Sequence, residues 1–281
     1  MSLRTVFRRI MAERLAFAGF IFIVLLVLVA IFAPWLTPHD PAEQNLSKVL
    51  KGWSTEHWLG TDELGRDVFS RLIMGSRAAI QSGAIAILIP LFIGVPLGII
   101  SGYLGGIVDD IFMRIVDGII AIPAILLALG ITAAFGASLW NAMIAIGIIF
   151  TPQFARLARG QTLQIRKEHY VEASKISGGF TRWIILRHII PNIAPPIVVQ
   201  ASFNLSYAVL IEASVSFLGL GAHDPQVSWG SMIQQGYSMI HMNPWLIIYP
   251  GMAILLTVLA GNFFGDGLRI SLDPKHKLED K

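Results

Sequence analysis

Cysteine is absent from all 281 residues. Disulfides, thiolate catalysis and cysteine-held metals are therefore excluded. Charge is scarce as well: Asp, Glu, Lys and Arg make up 14% of the chain, against about 25% in soluble globular domains. No Gly-x4-Gly-Lys-Ser/Thr segment occurs, so the chain has no P-loop with which to hold ATP. There is no Gly-x-Ser-x-Gly elbow; the nearest serine candidate, Gly136-Ala137-Ser138-Leu139, lacks the following glycine. The seven histidines include no His-Glu-x-x-His and no other metal-ligand spacing. His39, His57, His223 and His241 are far apart in the chain and read as scattered surface residues.

What is abundant is apolar: 54% of the residues, gathered in long blocks. Blocks of about 20 apolar residues are membrane-spanning helices. Six spans are expected, near 15–36, 78–101, 111–135, 137–155, 196–219 and 245–265. The first of these follows Arg4, Arg8 and Arg9, as a signal peptide would. It is longer than a signal h-region and no small-x-small cleavage site follows, so it reads as a retained helix. The expected organisation is an N-terminal tail 1–14, a first helix plus outer loop 15–77, a core 78–268 and a tail 269–281.

Lys and Arg set the orientation. The N-terminus, the 102–114 turn, the 156–195 segment and the C-terminus hold 16 of the 21. Positive residues collect in the cytoplasm, which places both termini there. The 37–77 and 220–244 loops then face outward, and the second contains no Lys or Arg. The net charge of +3 belongs to this asymmetry and gives no ground for a nucleic-acid partner.

The spans carry few polar groups. Glu212 is the clearest ionisable one, and an intramembrane acid is a functional-site candidate. Asn204 is its nearest polar companion in the fifth span. Internal hydrogen bonding, a place near the outer interface and contact with cargo or ion all remain open for Glu212. Asp117 and Asp266 sit near the inner ends of the third and sixth spans, where an aspartyl protease would carry a pair. Phe263-Phe264-Gly265-Asp266 lacks the glycine two positions before its acid, and the neighbouring Arg114 and Arg269 predict ion pairs instead. Gly94, Gly98, Gly102 and Gly106, at steps of four, predict close approach of another helix.

The 156–195 segment holds seven Lys/Arg and does not look disordered. "YVEASKI" favours a helix, and Gly178-Gly179 ends it with a left-handed cap. "FTRWIILRHII" resumes as an amphipathic helix until Pro191 changes its direction. On physical grounds this is either a plug for a groove in another protein or an interfacial helix on anionic lipid.

Glu172-Ala173-Ser174, then Gly178, then Ile190-Pro191, resembles the EAA motif of importer-type ABC permeases. The spacing matches, with Ser174, His188 and Ile190 as mild departures. The resemblance extends through "HWLGTDELGRDVFSRLIMGSR" (57–77), "GYLGGIVDDIFMRIVD" (102–117), "SFLGLG" (216–221), "SWG" (228–230), "NPW" (243–245) and "GDGLRISLDP" (265–274). The chain is similar to C-type permease subunits of dipeptide/oligopeptide and nickel importers.

The resemblance implies an all-α, polytopic membrane bundle of the MetI-like fold, in a bacterial or archaeal plasma membrane. It implies a homologous second permease, two ABC ATPase subunits and an extracytoplasmic solute-binding protein as partners, besides lipid. It implies no catalytic residue, metal or cofactor on this chain, with ATP and Mg held by the ATPases. Glu172, Ala173, Ser174, Gly178, Gly179 and Pro191 would form the ATPase-coupling element, and Asp62, Glu63, Arg66 and Asp67 would serve the outer loop or gate. Dipeptides or oligopeptides are the implied cargo, with nickel chelates or glutathione as alternatives; a secondary transporter would need no ATPase.

Overall fold

The computed structural model describes residues 3–272; the tail beyond lies outside the described residues, and of residues 3–7 only the backbone is described. The chain is built of helices: α1 Leu3–Ala12, α2 Arg14–Leu36, α3 Val68–Phe92, α4 Gly94–Leu104, α5 Gly106–Ile120, α6 Ala124–Phe135, α7 Leu139–Ile165, α8 His169–Ile176, α9 Thr181–Ile184, α10 Ile190–Phe217, α11 Trp229–Tyr237 and α12 Trp245–Leu272. Among the described residues the only β pairing is an isolated bridge between Thr61 and Asp67. Five stretches are long and apolar enough to cross a membrane, and the bent pair α5–α6 makes a sixth if counted as one span.

The observed spans differ from the expected ones at their ends. The second begins at Val68, not near 78. Asp67 caps it, its carboxylate accepting the Ser70 N–H, so the arginines that looked like loop lie on its first turns. The third is two helices meeting at about 90° near Ala121–Pro123. Pro123 disfavours helical backbone at the residue before it, which ends α5 there. The fourth runs to Ile165, taking in ten residues expected in a loop. Pro191 does not redirect the chain. The backbone widens to a π-helical turn at Ile185–Ile189 and runs on into α10, with Pro191 in its first turn. A proline ring clashes with the carbonyl four residues back, and a wider turn relieves that conflict.

Small residues hold the core together. A side-chain carbon on Gly94 would stand 2.6 Å from the Thr151 carbonyl oxygen, and one on Gly102 2.8 Å from that of Arg159. A carbon on Gly98 would overlap the Ala155 carbonyl. Three of the four glycines thus seat α4 directly on the α7 backbone. Gly106 does not join them; it has φ +58° and opens α5. Around this seam Ile146, Phe150, Phe154, Ile193 and Val215 form the largest buried apolar cluster.

The two ends of the bundle are distinct. At one, Arg166 donates to the Tyr103 carbonyl at 2.7 Å and the Lys175 ammonium lies 5.1 Å from the Tyr103 ring centre. At the other, the segment between α2 and α3 is tied to the segment between α10 and α11 through Arg66 and Asp224.

Candidate functional site

The first candidate element is the α8–α9 tip. Val171, Ile184 and Ile189 are buried in the main core and anchor it. The Gly179 N–H donates to the Ser174 carbonyl at 2.9 Å and the Gly178 N–H to that of Lys175 at 3.0 Å. With Gly178 at φ +82°, this is a Schellman cap, which ends a helix where only glycine sits without strain. Glu172 is exposed on the flank of the short helix. Ile176 is 88% exposed and Phe180 83%, with Trp183 and Leu186 also open. Phe180, Trp183 and Leu186 line a shallow apolar surface edged by Arg182 and Arg187. Pro191 lies beyond the π-helical turn and away from the Gly178 cap in the chain.

The second element is the opposite end. Arg66 is 1% exposed and is the hub of a polar network. Its Nε donates to Asp62 Oδ2 at 2.6 Å, Nη1 to Asp224 at 3.0 and 3.1 Å, and Nη2 to Glu63 at 2.9 Å and Gln235 at 3.0 Å. Burial works against the guanidinium charge, but Asp62, Asp224 and Glu63 outweigh it and hold Arg66 above its ordinary pKa. Burial and the neighbouring Asp62 push Glu63 up from the usual carboxylate value. Arg71 joins from α3, donating to Gln235 at 2.8 Å and to the Pro41 carbonyl at 3.2 Å. The "TDELGRD" stretch is thus no self-contained turn. Asp67 stands apart from the hub: it caps α3 and holds His57 at 3.0 Å.

His57 is 6% exposed and its ring lies 4.8 Å from that of His39, so these two are not scattered surface histidines. The loop that carries them folds back over the start of α3, which chain distance hides. The interfacial pair expected for Asp117 forms with Arg156, at 2.6 Å, rather than with Arg114. Asp266 is exposed on α12.

Between the ends lie the intramembrane polar groups. Glu212 is buried and accepts the Ser216 hydroxyl at 2.6 Å. Asn204 does not reach Glu212. It accepts from Gln200 at 2.8 Å and donates to Gln153 at 3.3 Å. Gln153 and Gln200 are functional candidates that the sequence reading passed over. Their one signal was the i, i+4 spacing of Gln200 and Asn204, which puts two amides on one face. Below them a groove of about 780 Å³ runs along α7, α10 and α12, lined by Gln161, Asn192, Gln200, Phe203 and Arg269.

A helical bundle of membrane-length stretches with a small-residue seam, an exposed Gly-capped tip at one end and a polar clamp at the other has the build of a multi-pass membrane protein. The chain belongs to the binding-protein-dependent transport system inner membrane component family, whose model matches residues 94–277. A second model, the N-terminal TM domain of oligopeptide transport permease C, matches residues 2–52. The dipeptide transport system permease protein DppC of Alkalihalophilus pseudofirmus is 44% identical over 98% of this chain and 90% of its own length. The glutathione transport system permease protein GsiD of Pectobacterium atrosepticum is 41% identical over 98% and 91%. In three dimensions the chain is similar to a chain of the inward-facing MetNI methionine ABC transporter. That match has TM-score 0.60 and 20% identity, covers 72% of this chain and 96% of the other, and speaks to the fold alone.

Proposed function

We propose that the chain forms half of the translocation pathway of an ATP-driven peptide importer, beside a homologous second permease. Two ABC ATPase subunits hydrolyse ATP with Mg for the complex, one of them receiving the α8–α9 tip of this chain in a groove, and ATP and Mg are held by them. An extracytoplasmic solute-binding protein delivers cargo to the clamp end. The carrying observation is the tip itself: a glycine-turned knob whose Ile176 and Phe180 have no cover within this chain. Apolar side chains left so open beside Arg182 and Arg187 are what a partner groove would bury. Glu172, Ala173, Ser174, Gly178 and Gly179 make the contact, and Pro191 with the π-helical turn relays it into α10.

The 16 of 21 Lys/Arg on the tip side support cytoplasmic termini and an outward-facing clamp. Asp62, Glu63 and Arg66 then hold the outer gate closed-packed rather than touch cargo, while Asp67 organises the start of α3. Dipeptides or a small peptide such as glutathione suit the Gln153–Gln200–Asn204 strip, whose neutral amides match peptide groups without selecting side-chain charge. Glu212 serves as an internal acceptor for Ser216 within α10.

Purification of the chain from its native membrane, with mass identification of what comes with it, tests the assembly. A second permease and two ATPases are expected; a lone homo-oligomer overturns the reading. A sharper test is Gly178→Trp. Nothing lies within 4 Å of a first side-chain carbon there, so the added bulk meets no neighbour where it leaves the backbone. The left-handed backbone costs about 1–2 kcal/mol for a non-glycine residue, and the knob no longer fits its groove. Uptake and ATPase recovery are each expected to fall by at least about tenfold, the effect of about 1.4 kcal/mol. Undiminished uptake with intact assembly rejects the coupling role.

A further inference from the structure

The loop between α2 and α3 brings together groups that the transport reading does not use. One ligand-type atom from each of His39, His57 and Asp67 lies within 4.8 Å of the others. The hydrogen bonds fix both histidine tautomers. Asp67 Oδ1 stands 3.0 Å from His57 Nδ1, and a carboxylate can only accept, so Nδ1 carries the proton and Nε2 the lone pair. His57 Nε2 is buried and has no hydrogen-bond partner. His39 Nε2 lies 2.9 Å from the Glu56 carbonyl, which likewise only accepts, leaving the lone pair on Nδ1. Glu56 Oε1 stands 3.9 Å from His57 Nε2. That is too far for a hydrogen bond and about 0.6 Å longer than two ligands of one tetrahedral zinc, a gap the exposed Glu56 side chain closes by a small rotation. These groups line a cavity of about 80 Å³, with Asp40 and Glu43 at its rim.

An orphaned buried imidazole nitrogen is destabilising unless something binds it. We propose that His57 Nε2, His39 Nδ1 and the Glu56 carboxylate hold a late first-row divalent cation, zinc above all, with Asp67 orienting His57 from behind. Two imidazoles and a carboxylate, with a fourth place for water or Asp40, are a donor set that zinc accepts. The Asp67–His57 contact has the carboxylate–histidine arrangement that fixes the ring of a metal ligand and raises its basicity. Half-exposed His39 gives up its bond to the Glu56 carbonyl and turns its Nδ1 toward the ion, whose ligand atoms stand roughly 3.3 Å apart in tetrahedral zinc. Lys48, at present the partner of Glu56, is 26% exposed and swings aside into solvent. The bound ion joins the segment leaving α2 to the segment entering α3, and so braces the outer loop independently of cargo or ATP.

The test uses the full chain, purified with its associated subunits, stripped with a chelator and titrated with zinc alone against a chromogenic competitor. One zinc per chain is expected, with affinity at least about tenfold weaker in H39A and in H57Q, a loss of at least about 1.4 kcal/mol. Cobalt(II) in place of zinc is expected to give visible absorption of a low-coordinate imidazole site in the parent protein and not in H39A. H57Q disturbs the Asp67 contact and with it the loop. H39A keeps the backbone N–H bond from His39 to the Ser70 hydroxyl and decides the matter if H57Q misfolds. Equal zinc affinity in the parent, H39A and H57Q, or no zinc bound by the parent, overturns the proposal.

Discussion

Replacing Arg66 with methionine is expected to release the whole clamp end of the protein. Arg66 is the one cation that Asp62, Glu63 and Asp224 share at hydrogen-bond distance. Asp224 is half exposed and rehydrates when its partner goes, but Asp62 is buried, with Arg71 at 3.5 Å as its remaining cation. Removing one partner of a buried ion pair costs about 3–5 kcal/mol, because the other charge stays uncompensated. The loss falls on the contact between the 37–67 loop and the 218–228 loop rather than on the apolar core. Limited proteolysis of the purified protein should therefore cut between residues 37 and 67 while the helices stay intact. Arg66→Lys keeps the charge and loses the fork that reaches Asp62 and Asp224 together, so its cleavage rate should fall between the two. A methionine variant as resistant as the parent shows that the clamp is held elsewhere.

The second large effect is expected at Gly98. A leucine there drives its first carbon into the Ala155 carbonyl and to within 2.9 Å of the Ala158 methyl. Ordinary overpacking costs about 1–3 kcal/mol because side chains yield. Here the obstacle is backbone, and Gly94 and Gly102 on either side pin α4 to α7 just as closely. The expected result is loss of monodisperse protein after membrane extraction. The same change at Gly130, where a first side-chain carbon meets nothing within 4 Å, should leave the yield unchanged. Full recovery of Gly98→Leu would mean that α4 and α7 do not meet along this seam.

The apolar blocks, five of the six spans and three of the four stripe glycines were legible because each depends on residues close in sequence. Helix ends were less so. Ser70, Arg71, Ser76 and Arg77 made the start of α3 look like loop: Arg71 finds its partner Gln235 164 residues on, and the Ser70 and Ser76 hydroxyls are satisfied within three residues by the cap and the helix backbone. Arg66 and Asp224 are 158 residues apart, and nothing in either local sequence announces the other. His39 and His57 were separated in the reading for the same reason: their pairing depends on how the loop between α2 and α3 folds back. Pro191 was read by its usual effect, which a π-helical turn overrides. The left-handed cap at Gly178 needed no tertiary information, because the helix, the glycine pair and their spacing are all local.

Pro152 lies inside α7 and deletes one of its backbone hydrogen bonds. The glycine seam begins at this point, with Gly94 against Thr151, and continues through Ala155 to Arg159. Helix α4 is therefore a splint laid along α7 from its weak point down to the stretch that leads into the tip. Of the 27 residues of α7, about 40 Å at 1.5 Å per residue, only the half before Pro152 lacks that splint. Lower α7 and α4 thus form one packed unit, and a push at the tip, under the coupling proposed above, would concentrate its bending at Pro152, beside Gln153 on the polar strip.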